Sequence, residues 1–261
     1  MIEVCNGVSR SEAWLKAVQK LSSAPENELY NLIIEIDEPC SSTKQDREVE
    51  EWIDQYLTKN PVNTVAETIF PASEYRRHRA KGVYSVYPDV VYPQVRRFSA
   101  NQQGTYAYRI LRGVDSKGAT TRPLENIISR IKSQTGQNGT RIRLCYEVAV
   151  AQPCDISISQ NGKAIRAFPC MSHLSFKLSK DCKAVHLTAL YRSQYYFSKA
   201  LGNFLGLARL LKFVANETGL APGSLVCHAT YAKLDYPPGK TRKARNELGK
   251  NFLNKETEVA S

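Results

Sequence analysis

From Lys199 to Glu217 apolar residues recur at helical spacing around nearly the whole circumference of one segment. Leu201, Phe204, Leu205, Ala208, Leu211 and Ala215 form one stripe, and Leu207, Leu210, Phe213 and Val214 widen it. A helix of that kind must be surrounded by protein, so the fold needs elements on several sides of it. With 261 residues, 42% of them hydrophobic, the chain can supply those elements within one large core. Gly219 stands where a left-handed helix cap is expected, and Pro222-Gly223 reads as a turn before a final strand over residues 225–234.

The remaining segments supply the partners. Residues 11–21 have helical spacing through Trp14, Leu15, Val18 and Leu21, and residues 29–36 read as a short buried strand. Residues 48–57 form an amphipathic helix with Val49, Trp52, Ile53, Tyr56 and Leu57 on one face, stopped by Asn60-Pro61. The stretch 62–115 is rich in Tyr and Arg and is interrupted by Pro88 and Pro93. A helix over 124–132 turns Ile127, Ile128 and Ile131 inward, and strands follow over 141–150, 172–178 and 184–191. The order of elements predicts an α+β fold, a mixed sheet backed by helices. Its organisation is an N-terminal α/β extension (1–60), a core (61–236) and a basic polar tail expected to be flexible (237–261), all within one structural domain.

Composition narrows the function classes. No apolar stretch reaches the roughly 18–20 residues that span a bilayer. The start, MIEVCNGVSRSEAW, lacks the basic and apolar regions of a secretory signal. Seven cysteines without a CxxC pair suggest neither a disulfide framework nor a zinc site, so no metal is expected and a reducing cytoplasm is the simplest compartment. The formal net charge of +11 fits nucleic acid, a small phosphorylated substrate, or simply a solvated basic surface. Composition by itself favours the last of these and disfavours nucleic acid.

Two arrangements carry chemistry. Phe168-Pro169-Cys170 stands just before one strand, and Tyr191-Arg192-Ser193 ends the next. Gly202-Asn203 opens the long helix, Asn203 lying eleven positions beyond Arg192. A guanidinium near a cysteine favours the thiolate, and an arginine fork binds phosphate through two donors. An asparagine amide donates and accepts at once, which suits the edge of a pyrimidine.

In this order and spacing the chain resembles the thymidylate synthase family and its pyrimidine nucleotide hydroxymethylase relatives. The resemblance rests on Pro169-Cys170, Arg192-Ser193, Asn203 and Gly219-Leu220-Ala221-Pro222-Gly223. Residues 123–144 look like the family's helix and dimer-crossing arginine segment, and Gly104-Thr105-Tyr106 is similar to its tyrosine-bearing turn. The likeness runs over roughly residues 60–235 and is strongest over 168–223.

It implies a homodimer that associates through its sheets. It also implies a one-carbon transfer from 5,10-methylenetetrahydrofolate to C5 of a pyrimidine nucleoside 5′-monophosphate. Cys170 would be the nucleophile, with Tyr106 as a proton-handling group and Glu67 as a candidate catalytic carboxylate. Arg192 and Ser193 would hold the phosphate, with Arg141 or Arg143 reaching it from the partner subunit. Asn203 would read the base, and Tyr231 or His228 the ribose.

Departures from the pattern concern mostly the folate half. Tyr195 stands where the family keeps an aspartate against the pterin, and Met171 follows the cysteine in place of histidine. Lys233 and Asp235 align without gaps to the family's ribose-gripping pair. A nucleotide-binding sensor or interaction protein that has lost turnover is the alternative these departures raise.

Overall fold

The computed structural model describes residues 2–115, 117–135, 142, 145–152, 155 and 169–253. Among the described residues seven strands form one mixed sheet. They are β1 (Glu3–Gly7), β2 (Glu28–Ile36), β5 (Tyr146–Ala149), β6 (Met171–Leu178), β7 (Ala184–Tyr191), β8 (Gln194–Tyr195) and β9 (Ala221–Lys233). The order is β1-β2-β9-β7-β6-β5, with β8 paired to β9. A two-residue ribbon, β3 (Gly113–Val114) with β4 (Thr120–Thr121), stands apart. The mixed sheet backed by helices agrees with the α+β expectation.

The helix expected over 199–217 divides into a π-helical turn, Tyr196–Ala200, and α8, Leu201–Thr218. Phe204, Leu207, Leu210, Leu211 and Val214 are fully buried, because α8 lies against β7 and β9 and is flanked by three more helices. These are α1 (Arg10–Ser23), α3 (Val62–Glu67) and α7 (Pro123–Thr135). Its apolar circumference is thereby used on every side. Gly219 ends α8 at φ 72°, in the left-handed region.

Residues 1–60 build part of the same sheet. β2 lies between β1 and β9, and α1 crosses from β1 to β2, so the parallel pair joins the sheet at its edge. Trp14 on α1 is completely buried and donates its indole N–H to the carbonyl of Tyr196 at 2.7 Å. α2 (Lys44–Asp54) follows, opened by Thr43 and Asp46, which exchange side-chain and backbone hydrogen bonds. The Tyr- and Arg-rich stretch is helical: α3, α4 (Ala72–Lys81), a π-helical segment Gly82–Val91, α5 (Tyr92–Val95) and α6 (Tyr106–Leu111).

Two local expectations are corrected. Pro222-Gly223 is strand, not turn. β9 begins at Ala221, and its pairing with β7 slips between Val185 and Leu187, where a proline lacking an N–H is accommodated. The tail is helical as far as α9 (Thr241–Leu248), with a π-helical turn at Gly249–Leu253. Ala244 and Leu248 are buried, and the Glu247 carboxylate accepts from Trp52 Nε1 at 3.1 Å and the Tyr56 hydroxyl at 2.5 Å. Two apolar residues one turn apart outweigh the surrounding Lys and Arg, whose charges remain outward. Residues 254–261 lie outside the described residues.

Candidate active site

Cys170 precedes β6, and its carbonyl accepts the backbone N–H of Arg192 at 2.9 Å. Arg192 returns across the same gap, its Nε donating to the Pro169 carbonyl at 3.1 Å. The two sequence motifs are thus hydrogen-bonded neighbours at the ends of β6 and β7. Cys170 is half-buried and lines a cavity of about 370 Å³. That is within the range of about 300–1,000 Å³ usual for small-molecule sites. Cys227 contrasts with it: wholly buried, its thiol is pushed far up by desolvation.

Tyr106, at the start of α6, closes the cavity beside the sulfur. Its hydroxyl accepts the backbone N–H groups of Cys170 at 3.2 Å and Met171 at 3.3 Å. Burial, with Cys170 adding to it, pushes the phenol up to about 12, so it stays protonated at neutral pH. The turn that delivers Tyr106 needs Gly104 at φ 99° and Thr105 as helix cap, the latter bonded to the Tyr87 hydroxyl at 2.7 Å. Beneath it the buried Arg109 grips the Gln103 carbonyl and pairs with both oxygens of Asp155, at 2.6 and 2.9 Å.

α8 supplies the opposite wall. Asn203 is 5% exposed and lines the cavity. The helix is capped at Ala200 without a side-chain bond, so the Asn203 amide is not engaged in capping. Lys199, in the preceding turn, lines the same space. That turn is held by Asp235, whose Oδ1 accepts from Phe197 N at 3.0 Å and Ser198 N at 3.2 Å. Burial pushes the Asp235 carboxyl up despite these bonds. Ser193, Gln194 and Tyr195 complete this side. Gln194 is 2% exposed, and among the described residues neither of its amide atoms has a partner.

The cavity therefore unites Cys170, Tyr106, Ser193 and Asn203 from the sequence expectations, with Arg192 bonded immediately behind. Glu67 ends α3 but does not line the cavity. Its carboxylate accepts from the Ser73 hydroxyl at 3.1 Å and pairs with Arg209 at 3.6 Å. Tyr231 also stands outside, on β9 against Tyr30, and burial with a bond to Glu28 pushes its phenol up to about 12. His228 bonds Asn31 at 3.2 Å, and Lys233 bonds Glu28 at 2.5 Å. Arg141 and Arg143 lie outside the described residues. Sequence reasoning missed Lys199 and the far wall, which is formed by Thr64 and Val65 of α3 and by Thr68 just after it. Only the four-residue spacing from Lys199 to Asn203 signals the former.

Fold and cavity together define an α/β protein with a cysteine presented at a pocket of ligand size. No protein-family model matches the chain. Three archaeal proteins, each named "Putative thymidylate synthase", are similar to parts of it. One from Methanococcoides burtonii is 39% identical over 66 residues, 25% of this chain and 30% of the relative. One from Methanosarcina barkeri is 38% identical over 61 residues, covering 23% and 27%. One from Methanosarcina mazei is 31% identical over 101 residues, covering 38% and 40%. The chain thus spans less than half the length of these curated relatives, and the likeness is a partial one to thymidylate synthase-named proteins. Among the described residues no helix is long and apolar enough to cross a membrane, and no cluster of His, Cys, Asp and Glu could hold a metal.

Proposed function

We propose that this protein is a one-carbon transferase acting on C5 of a pyrimidine nucleoside 5′-monophosphate through a covalent adduct between Cys170 and C6. The observation that carries the reading is the position of Cys170. It opens on a ligand-sized cavity, with its N–H held by Tyr106 and with Ser193 and Asn203 on the same walls.

Addition of the sulfur to C6 makes C5 nucleophilic, which is what a one-carbon acceptor requires. Arg192 and Ser193 bind the phosphate, joined by the partner subunit's Arg141 in a homodimer formed through the open sheet face. That face carries Ile33, Leu190 and Val226, each partly exposed among polar residues and alternating with the buried residues of the same strands. Asn203 reads the base. The protonated Tyr106 orders the start of β6 and donates toward the cavity. Methylenetetrahydrofolate is the carbon donor the resemblance implies, and Tyr195, 42% exposed at the cavity wall, offers a ring for a pterin to stack on. Nucleotide synthesis in the cytoplasm is the setting for this chemistry. Glu67 and Tyr231 enter the reading as supporting groups outside the cavity.

A nucleotide-binding sensor without turnover is the second reading, favoured by the engagement of Glu67 with Ser73 and Arg209. Tritium release separates the two. Purified protein is mixed with 5-tritiated dUMP, UMP, dCMP or CMP, with and without methylenetetrahydrofolate, beside Cys170→Ala. Folate-dependent release from one nucleotide, absent in Cys170→Ala, is the expected result. No release from any of the four, with clear nucleotide-induced stabilisation, would replace the transferase by the sensor.

A further inference from the structure

Lys199 is the only charged side chain among the described residues that line the cavity. It precedes Asn203 by one helical turn, and both face the same space. Among the described residues its ammonium makes no hydrogen bond and no ion pair. Two ionisable groups act on it: Asp235, from the connection after β9, and Cys170, at the head of β6. Tyr106 and Tyr195 are the other ionisable side chains on the wall.

Asp235 is committed elsewhere, its carboxylate bound to the backbone and hydroxyl of the turn that carries Lys199. Burial weakens the hold of Lys199 on its proton, and Asp235 and Cys170 oppose that loss. A half-buried ammonium with no hydrogen bond and no direct ion pair keeps a desolvation cost that an anion brought into the cavity would offset.

We propose that Lys199 is a catalytic residue of this pocket: its ammonium pairs with the negative charge that the Cys170 sulfur passes to the C4 oxygen of the ring, and thereby selects pyrimidines bearing a carbonyl at C4. The inference rests on the transferase reading above. In the covalent step a sulfur lone pair forms the S–C6 bond. The C5=C6 π pair moves between C4 and C5, and the C4 carbonyl π pair ends on its oxygen. Charge that begins on sulfur finishes on that oxygen, and no oxidant or reductant is needed. An ammonium offers three donors and no acceptor, so it suits the carbonyl of a uracil-type ring and leaves the amino group of a cytosine without a partner. Asn203, one turn away, supplies the acceptor that Lys199 lacks.

The test compares the full chain with Lys199→Met and Lys199→Arg through two probes. Alkylation of Cys170 by iodoacetamide at pH 7, read by peptide mass mapping, reports the charge on sulfur without any turnover. Tritium release from 5-tritiated dUMP and dCMP reports the ring step. In Lys199→Met alkylation is expected to slow several-fold and release from dUMP to fall about a hundredfold, the usual loss for one donor to a developing oxyanion. The preference for dUMP over dCMP should shrink with it, and Lys199→Arg should recover most of both losses. Lys199→Met should keep a cooperative thermal transition, since it removes no hydrogen bond and no direct ion pair, which separates this result from misfolding. Unchanged alkylation and unchanged base preference in Lys199→Met overturn the inference. If the parent protein releases no tritium while alkylation still slows in Lys199→Met, the transferase reading fails and the charge partnership of Lys199 with Cys170 stands.

Discussion

The phenolic oxygen of Tyr106 lies 3.2 Å from the backbone nitrogen of Cys170 and 3.3 Å from that of Met171. One hydroxyl therefore satisfies the two amides at the head of β6, and it does so from a helix 64 residues earlier in the chain. The backbone of Cys170 is held by a side chain that also forms the cavity wall.

Replacing Tyr106 by Phe leaves both amides without this acceptor and should cost about 1–2 kcal/mol of stability, read by denaturant unfolding at pH 7. The phenol titrates at about 12 in the folded protein against 10.0 ordinarily. The folded state therefore holds this proton more tightly. Its stabilisation is complete below pH 10 and is lost as pH rises through 12. Tyr106→Phe should show shallower alkaline destabilisation across that window. Identical alkaline profiles would remove Tyr106 from this account.

The Arg109–Asp155 pair anchors the loop beside the cavity, and both side chains are 5% exposed. Burial raises the Asp155 carboxyl, but the Arg109 bond, the Gln152 N–H and the Arg109 charge together outweigh it and leave it lowered. Its stabilisation is present above the ordinary carboxylate range and is lost as pH falls through the lower folded value. Asp155→Ala should cost about 3–5 kcal/mol at neutral pH, since it strands a buried guanidinium. The gap between variant and parent should narrow as pH falls below the ordinary carboxylate range; a gap of unchanged size throughout acid would contradict the assignment.

Asp235 separates a cap from a charge. Its folded carboxyl is raised by burial above 3.8, so its stability contribution falls as pH rises through the folded value. At pH 7 the ionised group is a burden offset by its bonds to Phe197 and Ser198. Asp235→Asn keeps the acceptor and removes the charge, so it should melt at or above the parent at pH 7. Asp235→Ala strands both amides and should lose about 1–3 kcal/mol. Equal melting of the two variants would show that the cap contributes nothing.

Gly202 lets α3 approach α8 closely enough to wall the cavity. A Cβ there would sit 2.6 Å from Val65 Cβ and 2.8 Å from the Val62 carbonyl oxygen, and the latter is backbone that cannot swing away. Gly202→Ala should cost about 1–3 kcal/mol through overpacking. It should also reduce nucleotide-induced stabilisation, because Thr64, Val65 and Thr68 move with α3. At Gly219, where φ is 72° and nothing lies within 4 Å, Ala should cost about 1–2 kcal/mol of backbone strain and leave nucleotide binding intact. Equal nucleotide responses in the two variants would argue against α3 as a wall.

Much of the architecture was written locally. The stripe on α8, the strands β2, β6 and β7 and the Gly219 cap depend on spacing within a dozen residues, which periodicity reports directly. The order of Pro169-Cys170, Arg192-Ser193 and Asn203 likewise named five residues that the fold brings to one place. The order of the tail is hidden in the sequence because two buried residues, Ala244 and Leu248, are a weaker signal than five cations around them. Pro222-Gly223 looks like a turn yet is strand, because a slipped pairing of β9 with β7 can absorb a missing N–H.

What tertiary structure alone decided is which side chains share the cavity. Glu67 and Thr68 are adjacent in sequence, yet Thr68 lines the cavity and Glu67 turns to Ser73 and Arg209. Lys199 became a candidate only when α3 and the loop before α6 closed around it, and Asp235 became a cap only when β9 returned beside the turn at Tyr196–Ala200. By itself the sequence determined helices, strands and the order of the cysteine, arginine and asparagine motifs, because those follow from neighbours along the chain. The polar constellation of the site depends on sheet register and on close helix approach, which arise between residues far apart in the chain and leave no periodic trace within any one segment.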